Sequence, residues 1–226
     1  MWDREVRALS DAASPIIATS FPGFGRSDLP SRQPTLDDYA DAVMGVLDAA
    51  QVRTAAFAGL SLGGYVAFAI WRRHRERVER LALIDTRAEA DAPEAAQGRI
   101  RLAALIRERG MEVLLKAPPK WLRDGAPQWP ALKELIRSQR PEAVAQASVA
   151  MAGRADSTKD LPSIDVPTAV IVGEADAITP LASAKTMHAA IPDSSLAVIP
   201  DAGHLSNLEA PETFEKAMRS WLQRPN

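Results

Sequence analysis

The sequence predicts an α/β fold: a doubly wound, mostly parallel sheet into which one helical block is inserted. Three observations carry this. Short apolar runs alternate with helical stretches toward both ends of the chain, the pattern of successive βαβ units. From Asp85 to about Asp165 the rhythm changes to helices separated by proline-rich turns, with no strand signal. And 226 residues, 46% of them hydrophobic, are enough to bury a core without disulfide or metal staples.

The elements follow in order. Trp2, Val6 and Leu9 lie at helical spacing, so Trp2 to Ala12 predicts an amphipathic helix. Pro15-Ile16-Ile17-Ala18-Thr19 is short, apolar and β-branched, and predicts a buried strand that turns at Pro22-Gly23-Phe24-Gly25. Thr35-Leu36-Asp37-Asp38 resembles a capping box with Asp in place of Glu, and opens a helix running to about Ala50. Thr54 to Ala58 predicts a strand ending at Gly59, Leu62 to His74 a helix, and Arg80 to Ile84 a third strand. The inserted block holds helical stretches at Gln97 to Arg109, Pro130 to Arg137 and Pro141 to Ala152. The alternation then returns: strand Thr168 to Val172, helix Pro180 to Ile191, strand Leu196 to Ile199, helix Pro211 to Leu222. The division expected is a core from residues 1–85 and 161–226, with residues 86–160 as a helical cap.

Composition narrows the function. Without cysteine there is no thiol nucleophile, disulfide framework or Cys-ligated metal, and the reading calls for no cofactor and no metal. Lys and Arg number 27 against 29 Asp and Glu, a net charge of −2 that argues against a nucleic-acid binder. The basic run Arg72 to Arg77 reads as a solvated helix end, where cations favour the C-terminal dipole. No stretch approaches the ~18 apolar residues of a membrane helix, and the first seven residues are too charged for a signal peptide. A cytoplasmic protein is expected.

The chemistry gathers in three places. Gly59-Leu60-Ser61-Leu62-Gly63-Gly64 lies between a strand and a helix, the context a G-x-S-x-G nucleophile elbow requires. So tight a turn calls for small residues at Gly59 and Gly63, and it turns the Leu62 N–H toward the same space as the Ser61 hydroxyl. A serine needs a base, and the base needs an orienting group. Of three histidines, His204 follows the last strand in Asp201-Ala202-Gly203-His204, at the strand edge where catalytic groups of open α/β sheets collect. His74 and His188 read as surface or packing residues. Asp176, in the loop after Val172-Gly173-Glu174, completes the order Ser61, Asp176, His204; Glu174 and Asp85 are rival acids.

These stretches, with Gly23-Phe24-Gly25-Arg26-Ser27-Asp28, Leu83-Ile84-Asp85-Thr86 and Asn207 to Pro211, resemble the α/β-hydrolase superfamily over nearly the whole chain. Within it the sequence is similar to single-cap serine esterases and 3-oxoadipate enol-lactonases. The resemblance implies Ser61 as nucleophile, His204 as general base then acid, Asp176 as orienter and the Leu62 N–H as an oxyanion donor. It implies cap walls around a small-molecule ester or lactone, with Met111, Trp121 and Trp129 as pocket candidates beside Leu114 and Leu115. Arg101, Arg107, Arg109 or Lys120 are candidates to meet a substrate carboxylate. The family's pattern also places strands and a His-Gly oxyanion loop ahead of a helix like Trp2 to Ala12. The chain therefore reads as an N-terminally shortened hydrolase, its strands at Pro15–Thr19 and Thr54–Ala58 facing a gap. A homodimer or a strand-supplying partner would fill it. Ester or lactone hydrolysis leads. Perhydrolase or carbon–carbon hydrolase chemistry on the same triad, and a weak or inactive ligand-binding form, are the alternatives.

Overall fold

A computed structural model describes residues 1–116 and 118–224. Its sheet has four strands, β1 (Ala55–Leu60), β2 (Val78–Ile84), β3 (Thr168–Gly173) and β4 (Ser194–Ile199), all parallel and neighbouring in chain order. Helices α1 (Asp3–Ala8) and α2 (Leu36–Ala49) precede β1, and α3 (Leu62–Arg73) links β1 to β2. Between β2 and β3 lie α4 (Pro93–Arg109), α5 (Glu112–Lys116), α6 (Trp129–Arg137) and α7 (Pro141–Ala152). Then α8 (Leu181–Ala190) joins β3 to β4, and α9 (Ser206–Glu209) and α10 (Pro211–Leu222) close the chain.

The period-two alternation of the strands divides the core in two. Leu81, Leu83, Val170 and Val172 face a cluster built with α2, α3 and α8. Ala82, Ile84, Ala169 and Ile171 face the other, built with Leu9, the Phe214, Met218 and Trp221 side of α10, and apolar residues of α4 to α6. Both faces of β3 are therefore buried, which is why it reads as an unbroken apolar run. The capping box of α2 is fully formed: Thr35 Oγ1 accepts from the Asp38 N–H at 3.2 Å and the Asp38 carboxylate accepts from the Thr35 N–H at 2.7 Å. In the inserted block α4 packs along α7.

One expected strand is absent. Pro15 to Thr19 has no strand structure, and the sheet begins at β1. An apolar β-branched run becomes a strand only beside a ladder partner, and among the described residues no strand pairs with this segment. Ile16 packs on the second cluster while Ile17 is exposed. The gap expected between two strands is in fact a single open edge, that of β1, where Ala56 and Ala58 are exposed. The short helices α5 and α9 carry no pattern long enough to read from sequence. The basic run is neutralised: Arg72 pairs with Asp160, Arg73 and His74 with Asp41, Arg75 with Asp165 and Arg77 with Asp48. No helix among the described residues is long and apolar enough to cross a membrane.

Candidate active site

The C-terminal ends of the four strands deliver Ser61, Asp85, Asp176 and His204 to one edge of the sheet. Ser61 stands between β1 and α3 at φ +53° and ψ −109°, a conformation that disfavours any residue with a side chain. Its neighbours hold it there. The Ser61 N–H donates to the Ile84 carbonyl at 2.9 Å, and the Thr86 hydroxyl donates to the Ser61 carbonyl at 3.0 Å.

The glycines of the turn are not equally demanded. A Cβ on Gly59 would lie 2.2 Å from the Gly63 carbonyl oxygen, and one on Gly64 would lie 2.5 Å from the Thr86 side chain. A Cβ on Gly63 would meet nothing within 4 Å. The expected need for a small residue at Gly63 is thus corrected: the crowding is on the strand side, where Gly59 backs onto the Gly63 peptide. In the first turn of α3 the Leu62 N–H has no acceptor among the described residues.

His204 is 2% exposed and lies between the other two groups. Its Nε2 is 2.8 Å from Ser61 Oγ, and its Nδ1 is 2.9 Å from Asp176 Oδ2. With the proton on Nδ1, that nitrogen donates to Asp176 and Nε2 accepts from the serine. Asp176 is saturated: Oδ1 accepts from the Ile178 and Thr179 N–H groups at 2.8 and 2.9 Å, and Oδ2 accepts from the Thr179 hydroxyl at 2.5 Å. Burial pushes its carboxyl up, but the bond from His204, the histidine's charge and the Thr179 bonds outweigh it and hold the group below the usual range. A carboxylate so held remains an anion and an acceptor.

Neither rival acid touches the imidazole. Glu174 is exposed, its backbone N–H bonded to the Ile199 carbonyl. Asp85 is fully buried; Oδ1 accepts from the Gly173 N–H at 2.8 Å, and Oδ2 accepts from the Ser206 N–H at 3.1 Å and hydroxyl at 2.6 Å. His74 bonds Asp41 and His188 bonds Ser194, both away from Ser61.

Two residues that sequence reasoning passed over shape the site. Thr179 lies three residues after Asp176, a spacing at which an acidic side chain commonly bonds back to the following backbone. Glu209 accepts from the Gly203 N–H at 2.7 Å and from the Arg123 N–H at 3.0 Å, tying the histidine loop to the helical block. The Leu205 N–H also donates to the Trp121 carbonyl at 3.0 Å. Met111, Trp121 and Trp129 share an apolar cluster with Leu60 and Leu205, the neighbours of Ser61 and His204. Arg107 is paired with Glu142 and Arg109 with Glu108. Among the described residues no group of three or more metal-binding side chains comes together.

The chain Oγ to Nε2, Nδ1 to Oδ2 is able to move a proton from a hydroxyl to an imidazole and stabilise the resulting cation. A family model described as "Alpha/beta hydrolase family" matches residues 1–217. A pimeloyl-[acyl-carrier protein] methyl ester esterase of Neisseria meningitidis serogroup A is 33% identical over 94% of the chain and 69% of its own length. The 3-oxoadipate enol-lactonase 2 of Acinetobacter baylyi is 27% identical over 100% of the chain and 85% of its own length. Among solved structures, a thermophilic esterase from Thermogutta terrifontis superposes with a TM-score of 0.83 at 38% identity, covering 90% of this chain and 78% of that one.

Proposed function

The chain belongs to the alpha/beta hydrolase family, and from that premise we propose that it cleaves a carboxylic ester or lactone through an acyl-enzyme on Ser61. The observation that carries this is the unbroken relay of 2.8 Å from Ser61 Oγ to His204 and 2.9 Å from His204 to Asp176. The names of the relatives, two esterases and a lactonase, support ester chemistry.

The steps follow from the groups. Ser61 Oγ attacks the carbonyl carbon as its proton passes to His204 Nε2, and Asp176 stabilises the imidazolium through Nδ1–H. The carbonyl π electrons move to oxygen, and the Leu62 N–H is the donor assigned to that oxyanion. Collapse breaks the bond to the alkoxide, which takes the proton from Nε2 and leaves an ester of Ser61. A water then gives its proton to His204, attacks the acyl carbon and releases the acid, and Ser61 recovers its proton. In a lactone the leaving alkoxide stays attached to the acyl part, so one product results.

The helical block from α4 to α7 is proposed as a cap over this site, the division expected at residues 86–160. Supporting this are the bond of the Trp121 carbonyl to the residue after His204 and the place of Met111, Trp121 and Trp129 in the cluster beside Leu60. The substrate is a small molecule with an apolar portion that those side chains would cover. Hydrolysis of p-nitrophenyl acetate and butyrate by the chain and by Ser61→Ala tests the reading. Turnover that the variant loses supports it; turnover that the variant retains, or a folded chain with none, overturns it.

A further inference from the structure

We infer that Asp85, which takes no part in the relay, is a positioning residue for His204: its buried carboxylate joins the histidine loop to the end of the strand that carries Asp176, and its charge supports the imidazolium. The inference rests on the reading of His204 as the base.

Geometry carries it. Asp85 ends β2, between β1, which leads to Ser61, and β3, which leads to Asp176. Its two oxygens reach opposite ways. One accepts from the Gly173 N–H, three residues before Asp176; the other accepts from the N–H and hydroxyl of Ser206, two residues after His204. A single rigid group thus sets the spacing between the segment that holds the acid and the segment that holds the base. The two segments are pressed together here, since a Cβ on Gly173 would lie 2.0 Å from the Gly203 carbonyl oxygen. Asp85 itself is held at φ +42°, a conformation uncommon for an aspartate outside turns. Its own N–H donates to the Ile171 carbonyl at 2.9 Å, so its backbone is fixed by the same strand.

Asp85 is fully buried, and its carboxylate is held by three hydrogen bonds with no Lys or Arg partner among the described residues, so keeping it charged there is costly. The charged groups that act on it are His204, which favours the anion, and Asp176, which opposes it. Burial pushes the Asp85 carboxyl up to about 7 against the bonds from Ser206 and Gly173. As an anion, Asp85 is a second negative charge that His204 feels beside that of Asp176. The attraction between Asp85 and His204 is greatest when His204 has taken the serine proton, the moment at which positive charge develops.

The test is an NMR titration of the histidine rings in the natural chain, Asp85→Asn and Ser206→Ala, with melting curves for each. It needs no turnover, and only three histidines have to be told apart. Asn keeps an acceptor for the Gly173 N–H but turns an NH2 toward the Ser206 N–H and removes the charge. The expected result is a His204 titration midpoint that moves down in Asp85→Asn, with a smaller step the same way in Ser206→Ala. A purely structural Asp85 would lower the melting temperature and leave the midpoint in place. An unmoved midpoint in folded Asp85→Asn overturns the inference. Should that variant fail to fold, an unmoved midpoint in Ser206→Ala overturns it equally. Failure of the underlying hydrolase reading is seen separately, as a natural chain whose Ser61 resists a fluorophosphonate while the midpoints still differ.

Discussion

Replacing Gly173 by alanine probes how tightly the acid strand and the histidine loop are fitted. An ideal Cβ at this position would stand 2.0 Å from the Gly203 carbonyl oxygen and 2.6 Å from that of Ala202, whereas real Cβ contacts essentially never fall below 3.0 Å. The obstacles are backbone atoms, so no side chain can swing away. Relief requires the Gly203 peptide to retreat from β3 by about 1 Å. Gly203 immediately precedes His204, whose Nε2 is 2.8 Å from Ser61 Oγ and whose Nδ1 is 2.9 Å from Asp176 Oδ2. A retreat of that size carries the imidazole out of hydrogen-bond reach of at least one of its partners. A misplacement of about 1 Å costs on the order of 10²-fold in rate. The assay is kcat for p-nitrophenyl butyrate, with thermal melts to show that the variant folds. A folded Gly173→Ala with kcat within about threefold of the natural chain would refute the reasoning, because the loop could then yield without moving the base.

Other perturbations have equally definite outcomes. Thr179→Val keeps the shape but removes the hydroxyl that donates to Asp176 at 2.5 Å and lies 3.3 Å from His204 Nδ1; hydrogen bonds to charged groups are worth about 1.5–3 kcal/mol, so denaturant melts show a loss of that order. Asp91, its side chain fully buried, is paired with Arg87, Arg99 and Arg154. Asp91→Ala leaves one buried cation, Arg154, without its carboxylate, while Arg87 and Arg99 are part-exposed; breaking a buried pair costs about 3–5 kcal/mol, and denaturant melts show a loss at the lower end of that range. Burial pushes the Asp91 carboxyl up, but the bonds from Arg154 and Arg99 hold it below the usual range. Because its folded value lies below its unfolded one, its contribution is full above the usual carboxylate range and lost as pH falls through the folded value. Urea midpoints measured down through acid pH therefore decline less steeply in Asp91→Ala than in the natural chain.

Much of this is legible in the sequence because it is local. The Thr35–Asp38 capping box, the strand–glycine–serine–helix turn and the unbroken apolar run of β3 each report their own structure within a few residues. The order of strands places His204 and its candidate acids at one edge, since open α/β sheets gather strand ends there, but it leaves Asp176, Glu174 and Asp85 as rivals; the contact of Asp176 Oδ2 with His204 Nδ1 is a matter of three-dimensional geometry. What was misread depended on neighbours that local sequence does not name. Pro15 to Thr19 has the composition of a strand, but a strand exists only against a ladder. Gly63 looked sterically required, yet the crowded glycine is Gly59, whose Cβ would strike the Gly63 peptide. Asp85 could be noticed as an acid at a strand end, but not that its partners lie 88 and 121 residues away. Thr179 and Glu209 were missed for a related reason: a side chain that acts by holding another residue carries little signature of its own.

The central claim is that the Ser61 hydroxyl is activated by its bond to His204. Covalent labelling with a fluorophosphonate, followed by peptide mass mapping, tests it without choosing a substrate. Modification is expected at a single residue, Ser61, abolished in Ser61→Ala and slowed at least about 10²-fold in His204→Ala. A folded chain that stays unlabelled at Ser61, or that labels as fast without the histidine, would contradict it.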